Sequence, residues 1–318
     1  MEDAHLAIES VGAVSSSSPG WRQTALFGVM DGHGGEQVAQ FCQRHFPHEL
    51  AKHNARDPAA ALTSTFHCMD ELLSDPNNLD ELQSLTNDTV SFKSWSVSPH
   101  TTGCTAVMAC VRGDSIVVAN AGDSRAVLCR RGRAIDMSDD HKPNLPHEMT
   151  RIQRAGGSVM EQRVGGHIHY RVNGNLNLSR SIGDLLYKQN TSLPPQEQLI
   201  ICLPDVRHFK RQITDEFMII ACDGVWDVMS SQEACDFIRA RLGDISELRH
   251  RLQDGSFKLS TILEEMLDSC LSPDLAQTMG LGGDNMTAVL VVFLDAQADQ
   301  GGWLDSSEIH GSWMCPYR

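Results

Sequence analysis

The chain has 318 residues and lacks several things that would point elsewhere. It has no long apolar run. The longest strongly apolar stretch is Ala288 to Leu294, far short of the ~18–20 residues needed to span a bilayer. The start, MEDAH, has no basic segment followed by an apolar one, so no signal peptide is expected. The second residue is Glu2 and not the glycine of a myristoylation start. Basic residues are scarce: 26 Lys and Arg against 41 Asp and Glu leave a net charge of −15. That excess excludes a nucleic-acid backbone or an anionic membrane as the main partner. It permits a protein that gathers carboxylates around cations. Ten cysteines are present, with no CxxC pair. They sit in apolar surroundings such as TGCTAVMACV and MIIACDG, so they read as buried thiols of a reducing compartment. An intracellular chain, cytoplasmic or nuclear, is expected.

The chain also lacks familiar enzyme signatures. It contains no GxxxxGK[ST], no GxSxG and no HExxH. What it does have is β-like runs punctuated by turns. WRQTALFGVM leads into DGHGG; GCTAVMACV, SIVVANA and RAVLCRR are separated by RGD and GDS; FMIIAC and TAVLVVF follow later. Gly-Asp turns between such runs signal hairpins. Helical spacing is expected over 36–50, 59–73, 148–155, 230–242 and 257–271, with Ser230-x-x-Glu233 as a capping box. Residues 74–99 are polar and poorly periodic, and are expected to form an inserted surface loop. From 296 to 318 a polar tail is expected. Adjoining hairpins with helices between them favour antiparallel sheets over a doubly wound parallel one.

The chemistry-bearing residues are aspartates at strand ends. Asp31-Gly32 follows LFGVM, Asp223-Gly224 follows MIIAC, Asp123 sits after VVANAG, Asp284-Asn285 precedes TAVLVVF, and Glu2-Asp3 opens the chain. Each alone reads first as a turn residue. Together, converging carboxylates would repel one another unless cations lay between them. An all-oxygen donor set favours Mg²⁺ or Mn²⁺ over Zn²⁺. His33 stands two residues after Asp31 and could act as a general acid.

MEDAH, FGVMDGHGG, TGCTAV, ANAGDSRAVL, DHKP, RIQRAGGSV, LNLSRSIGD, ACDGVWDVMS and GGDNMTAVLVVF together resemble the PPM, or type 2C, family of metal-dependent serine/threonine protein phosphatases. The motifs run in family order across nearly the whole chain. LPPQEQLI and MSSQEACDFI look most like its gamma-type members. The resemblance implies an α+β fold: one domain over 1–295, an αββα sandwich of two antiparallel β-sheets flanked by helices. It implies a pair of Mg²⁺ or Mn²⁺ ions and a water activated between them. Asp31 would bridge both ions, with a carbonyl from Gly32. Asp223 and Asp284 would hold one ion, and Glu2 and Asp3 would support the other. Asp123 and Asp227 would bind a weaker third. His33 matches the proposed general acid, and Arg180 would lie by the flap that influences substrate docking. Phosphoprotein substrates and a monomeric chain are implied.

The family carries roughly thirty residues before MEDAH, with a first strand and a phosphate-gripping arginine. This sequence shows no counterpart, so Glu2 and Asp3 are expected at a frayed end. The rival reading is a pseudophosphatase that binds phosphoproteins as a scaffold. A weaker one is a metal-dependent hydrolase of small phosphoesters.

Overall fold

The structure is a computed structural model. It describes residues 1–14, 18–85, 98–164, 167–243, 245–294 and 309–313. In chain order the first strands are β1 (Ala4–Ile8), β2 (Ala25–Met30), β3 (Gly32–His33), β4 (Gly103–Cys104), β5 (Ala106–Arg112) and β6 (Ser115–Ala121). Then come β7 (Arg125–Arg130), β8 (Arg133–Asp136), β9 (Val159–Val164), β10 (His167–Val172) and β11 (Ile182–Gly183). The last are β12 (Asp205–Lys210), β13 (Asp215–Ala221), β14 (Ala288–Phe293) and β15 (Ile309–Trp313). The helices are α1 (Val11–Val14), α2 (Gln37–Lys52), α3 (Pro58–Ser74), α4 (Leu79–Ser84) and α5 (Pro146–Arg154). They continue with α6 (Asp223–Trp226), α7 (Ser231–Leu242), α8 (Ile245–Gln253) and α9 (Leu259–Cys270).

Two five-stranded antiparallel sheets form the middle layers. Their orders are β1-β2-β5-β6-β12 and β15-β14-β13-β7-β8. Alternation along each strand builds three cores, because successive side chains point to opposite faces. From β2, Phe27 and Val29 point between the sheets and meet Met218, Ile220, Val289 and Val291. Leu26 and Met30 point outward and meet Phe41 and Phe46 of α2 and Phe66 of α3. On the far side, Phe217 and Ile219 of β13 pack under Ile238 of α7 and Leu263 and Met266 of α9. The result is the α+β, αββα layering expected from the sequence. Central strands buried on both faces explain why β2, β13 and β14 read as unbroken apolar runs.

Local chemistry sets the helix ends. Asp57 accepts from the Ala60 amide at 3.0 Å, with Pro58 at the first helical position of α3. The expected capping box opens α7: the Glu233 amide donates to Ser230 Oγ at 3.3 Å and the Ser230 amide to Glu233 Oε2 at 2.8 Å.

Two expectations need correction. Residues 74–99 are not simply a surface loop. Residues 76–78 form a 3₁₀ turn, α4 follows, and Leu82 and Leu85 are buried in the core beneath α2. Glu81 accepts from Arg44 at 2.8 Å and pairs with His45 at 3.1 Å. The Leu79-x-x-Leu82-x-x-Leu85 spacing places three apolar residues near one helix face, and the polar residues between them hide it. The rest of that stretch, 86–97, lies outside the described residues. The expected tail also contributes sheet: β15 pairs antiparallel with β14, Phe293 opposite Ile309 and Val289 opposite Trp313. An edge strand with free backbone groups can accept such a partner whatever its polarity. Residues 296–308 and 314–318 lie outside the described residues.

Candidate active site

Register brings the strand-end aspartates together. Ala4 pairs with Met30, so Asp3 and Asp31 are neighbours. Val29 pairs with Val107 and Ala106 with Ala121, which brings Thr105 and the Gly122-Asp123 turn to the same end. Ala221 pairs with both Arg125 and Ala288, so Asp223 and Asp284 arrive there from the second sheet. Antiparallel pairing thus gathers groups more than 280 residues apart (Glu2 donates its amide to Asn285 Oδ1 at 3.0 Å) at one end of the sandwich. Glu2 is tied to the second sheet through that hydrogen bond, and Asp3 precedes β1 beside Asp31.

Burial and crowding dominate the electrostatics. Burial pushes the Asp31 carboxyl well above its usual value, and the Asp3, Asp223 and Asp123 carboxylates push it further. Asp223 is raised to about 8 by burial and then by Asp123, against a partial offset from Lys142. Burial likewise raises Asp3 and Asp227. Both Asp3 oxygens are buried without a hydrogen-bond partner. Thr287 and the Cys222 thiol lie close by and offset only part of the cost. Such a set is unstable as bare anions and fits divalent cations with oxygen donors. Among the described residues no three ligand side chains already form a tight cage. The fit rests instead on the stranded, mutually repelling carboxylates.

Position 32 has no room for a side chain. The Glu2 main chain presses against the place where a Cβ would stand. That close approach keeps the Gly32 backbone beside Asp3 and Asp31. Thr105 accepts from the Asp31 amide at 3.3 Å and shares a 2.8 Å hydrogen bond with Ser124. Asp227 follows Asp223 by one turn, its amide donating to the Asp223 carbonyl at 2.8 Å.

Two residues given no role by the sequence reading are central here. Lys142, from DHKP, donates to Asp123 Oδ2 at 2.5 Å. Burial pulls its pKa down, but Asp123, Asp223 and Asp227 outweigh that and raise it. Asp184, from LNLSRSIGD, pairs with His33 Nε2 at 2.7 Å. Burial opposes a charged His33, yet Asp184 wins and its pKa is raised. Ser181 Oγ also donates to Asp184, at 2.5 Å. Gly103 makes room for the pair, because a Cβ there would strike both Asp184 and His33. The missed signal for Asp184 was a carboxylate ending a motif beside a tight turn; its partner is 151 positions away.

Arg180 is not where substrate could meet it. Its side chain is buried, with Nε and Nη2 donating to Glu148 at 2.9 and 2.6 Å. Nη1 donates to the Leu203 carbonyl at 3.0 Å and to Asp205 at 2.7 Å. Glu148 also accepts from Arg151 at 2.6 Å. A guanidinium committed on every nitrogen is a strut: expected to lie by a flap that influences docking and to bind substrate, Arg180 instead ties Glu148 to Asp205.

Beside the carboxylates opens a cavity of about 650 Å³. Asp223, Asp227 and Asp284 line its floor, with Ile168 and Tyr170 of β10, Met279 and Leu281 also lining it.

Fold and site define a two-sheet α+β sandwich with a carboxylate-floored cleft at one end. The family model described as protein phosphatase 2C matches residues 1–279. A relative from Paramecium tetraurelia, named probable protein phosphatase 2C 3, is 41% identical over 301 residues, covering 89% of this chain and 92% of its own. One from Oryza sativa subsp. japonica, probable protein phosphatase 2C 42, is 38% identical over 95% of this chain and 83% of its own. Among solved structures, a phosphatase from Toxoplasma gondii superimposes with a TM-score of 0.68 at 23% identity, over 99% of this chain and 92% of that one. The chain belongs to the protein phosphatase 2C family and is a protein phosphatase by that membership.

Proposed function

We propose that this chain hydrolyses phosphoserine and phosphothreonine in proteins and depends on Mg²⁺ or Mn²⁺. The observation that carries the reading is the convergence of buried carboxylates with Asp31 and Asp223 pushed far up and Asp3 left without partners. Asp31, the Gly32 carbonyl, Asp223, Asp284, Glu2 and Asp3 would hold two cations, and Asp123 and Asp227 a weaker third. Such cations would supply charge to hold the phosphate and would lower the pKa of a water so that its deprotonated form is available as nucleophile.

The chain's own residues do the rest. Asp184 orients His33 and favours its protonated form. Its other ring N–H is then available to the departing serine or threonine oxygen, a poor leaving group that needs a proton. Lys142 holds Asp123 in place. The cavity beside the carboxylates leaves room for a peptide to bring its phosphate in.

All site carboxylates are present, which favours turnover over a scaffold role. Among the described residues no helix is long and apolar enough to cross a membrane. The described cysteines are all free. An intracellular monomer acting on phosphoproteins is part of the same proposal. The test is hydrolysis of phosphothreonine peptides with and without EDTA. Activity should vanish in EDTA and return with Mn²⁺ or Mg²⁺ but not Zn²⁺. Full activity in EDTA would refute the reading.

A further inference from the structure

The carboxylate floor of the cleft deals with phosphate, which every substrate shares. Selection among phosphoproteins must come from the walls. One wall is the β9–β10 hairpin, where Ile168 and Tyr170 are two residues apart and so share a face. The other is the 271–283 loop, which brings Met279 and Leu281 to the same cavity. Ile168 is 47% exposed and Met279 is 52% exposed. Single exposed apolar side chains are ordinary. Here two large ones, on two different elements, line one cavity beside the carboxylates.

The loop is built to present Met279. Its φ of +55° is a backbone conformation that a residue with a Cβ adopts only at a cost. Hydrogen bonds hold it there: the Gly280 amide donates to the Leu275 carbonyl at 2.9 Å, and the Leu281 amide to the Thr278 carbonyl at 3.2 Å. Thr278 Oγ1 donates to the Leu281 carbonyl at 2.8 Å. A glycine would sit at position 279 without strain, yet a long flexible apolar side chain stands there. The nearby cations are partly committed elsewhere. Lys142 holds Asp123, and Arg171 donates to the Asn175 carbonyl at 2.6 Å. His169 also lines the cavity, so an acidic neighbour is the competing case, and the two exposed apolar side chains are what an apolar neighbour would meet.

We propose that Ile168 and Met279 select phosphoprotein segments with a large apolar side chain adjacent to the phosphorylated residue. This rests on the phosphatase reading above and names its substrate class. Burying a leucine against these walls removes apolar area that a serine does not offer.

The test uses the full chain with Mn²⁺ and labelled peptides bearing the non-hydrolysable phosphonate analogue of phosphoserine, flanked by Leu, Ser or Glu. Affinity is read by fluorescence anisotropy. The Leu peptide should bind about four- to tenfold tighter than the Ser peptide, as expected for taking roughly half a leucine side chain from water. In Met279→Gly, which the backbone accepts without strain, and in Ile168→Thr, which keeps a β-branched strand residue, the ratio should fall below about twofold. Equal affinities in the unmodified chain, tightest binding of the Glu peptide, or a ratio unchanged in both variants would each overturn the proposal. Turnover of the matching phosphopeptides is measured alongside. Absence of turnover would refute the phosphatase reading, while the affinity ratio alone decides this one.

Discussion

Replacing Glu148 with Gln should unfold the chain earlier without touching the carboxylate floor. Glu148 is fully buried and receives Arg180 through two hydrogen bonds and Arg151 through a third. Burial alone would raise its pKa, but the two guanidinium groups lower it from 4.5 to about 2. A depression of that size corresponds to about 3 kcal/mol of stability at neutral pH. Removing one partner from a buried ion pair costs a similar ~3–5 kcal/mol. With an unfolding entropy of ~2.1 cal/mol/K per residue, the loss corresponds to a fall in Tm of roughly 5 °C. Because the folded pKa is the lower one, the contribution is complete above 4.5 and fades as pH falls toward about 2. The gap between wild type and Glu148→Gln should therefore be constant from pH 7 to 5 and narrow below that. Differential scanning calorimetry across that range measures it. A Tm loss under about 1 °C at pH 7, or a gap that does not narrow in acid, would refute the reasoning.

The metal site makes an opposite prediction. In EDTA at pH 7.5, Asp223→Asn should melt above wild type, because a raised folded pKa means the ionised carboxylate destabilises the fold; its kcat should fall by orders of magnitude, and a Tm at or below wild type would count against the crowding argument. Asp184→Asn should lower the pKa of His33 and move the alkaline limb of the kcat profile to lower pH, with a loss of about 10- to 100-fold on alkyl phosphoesters and a smaller one on nitrophenyl phosphate. An unmoved limb would separate His33 from the proton transfer. Leu82→Ala should cost about 2–4 kcal/mol by opening a cavity under α2, and unchanged denaturant midpoints would show that α4 does not pack as described.

How far the sequence carries is clearest at individual residues. Strands β2, β13 and β14 were legible, because their apolar runs are short, bounded by turn residues and buried on both faces. The aspartates at the ends of those runs were legible as candidates because each breaks an apolar run next to a glycine or at a turn; that they end up buried against one another was not. The capping box of α7 was local and correctly read. Other features depend on partners distant in the chain. Arg180 looks like any exposed arginine until Glu148 and Asp205, 32 and 25 positions away, surround it. Helix α4 was hidden because only Leu82 and Leu85 among residues 76–85 are buried, and they are buried only in the core that α2 helps to build.

Residue types and their positions along each strand thus set the layers and the candidate ligands, since both follow from local geometry and hydrophobicity. Which carboxylates face one another, which of them resist ionisation, and which histidine Asp184 pairs with were decided only when the two sheets closed. Those properties arise from desolvation and charge–charge distances, which exist only between segments brought together by packing.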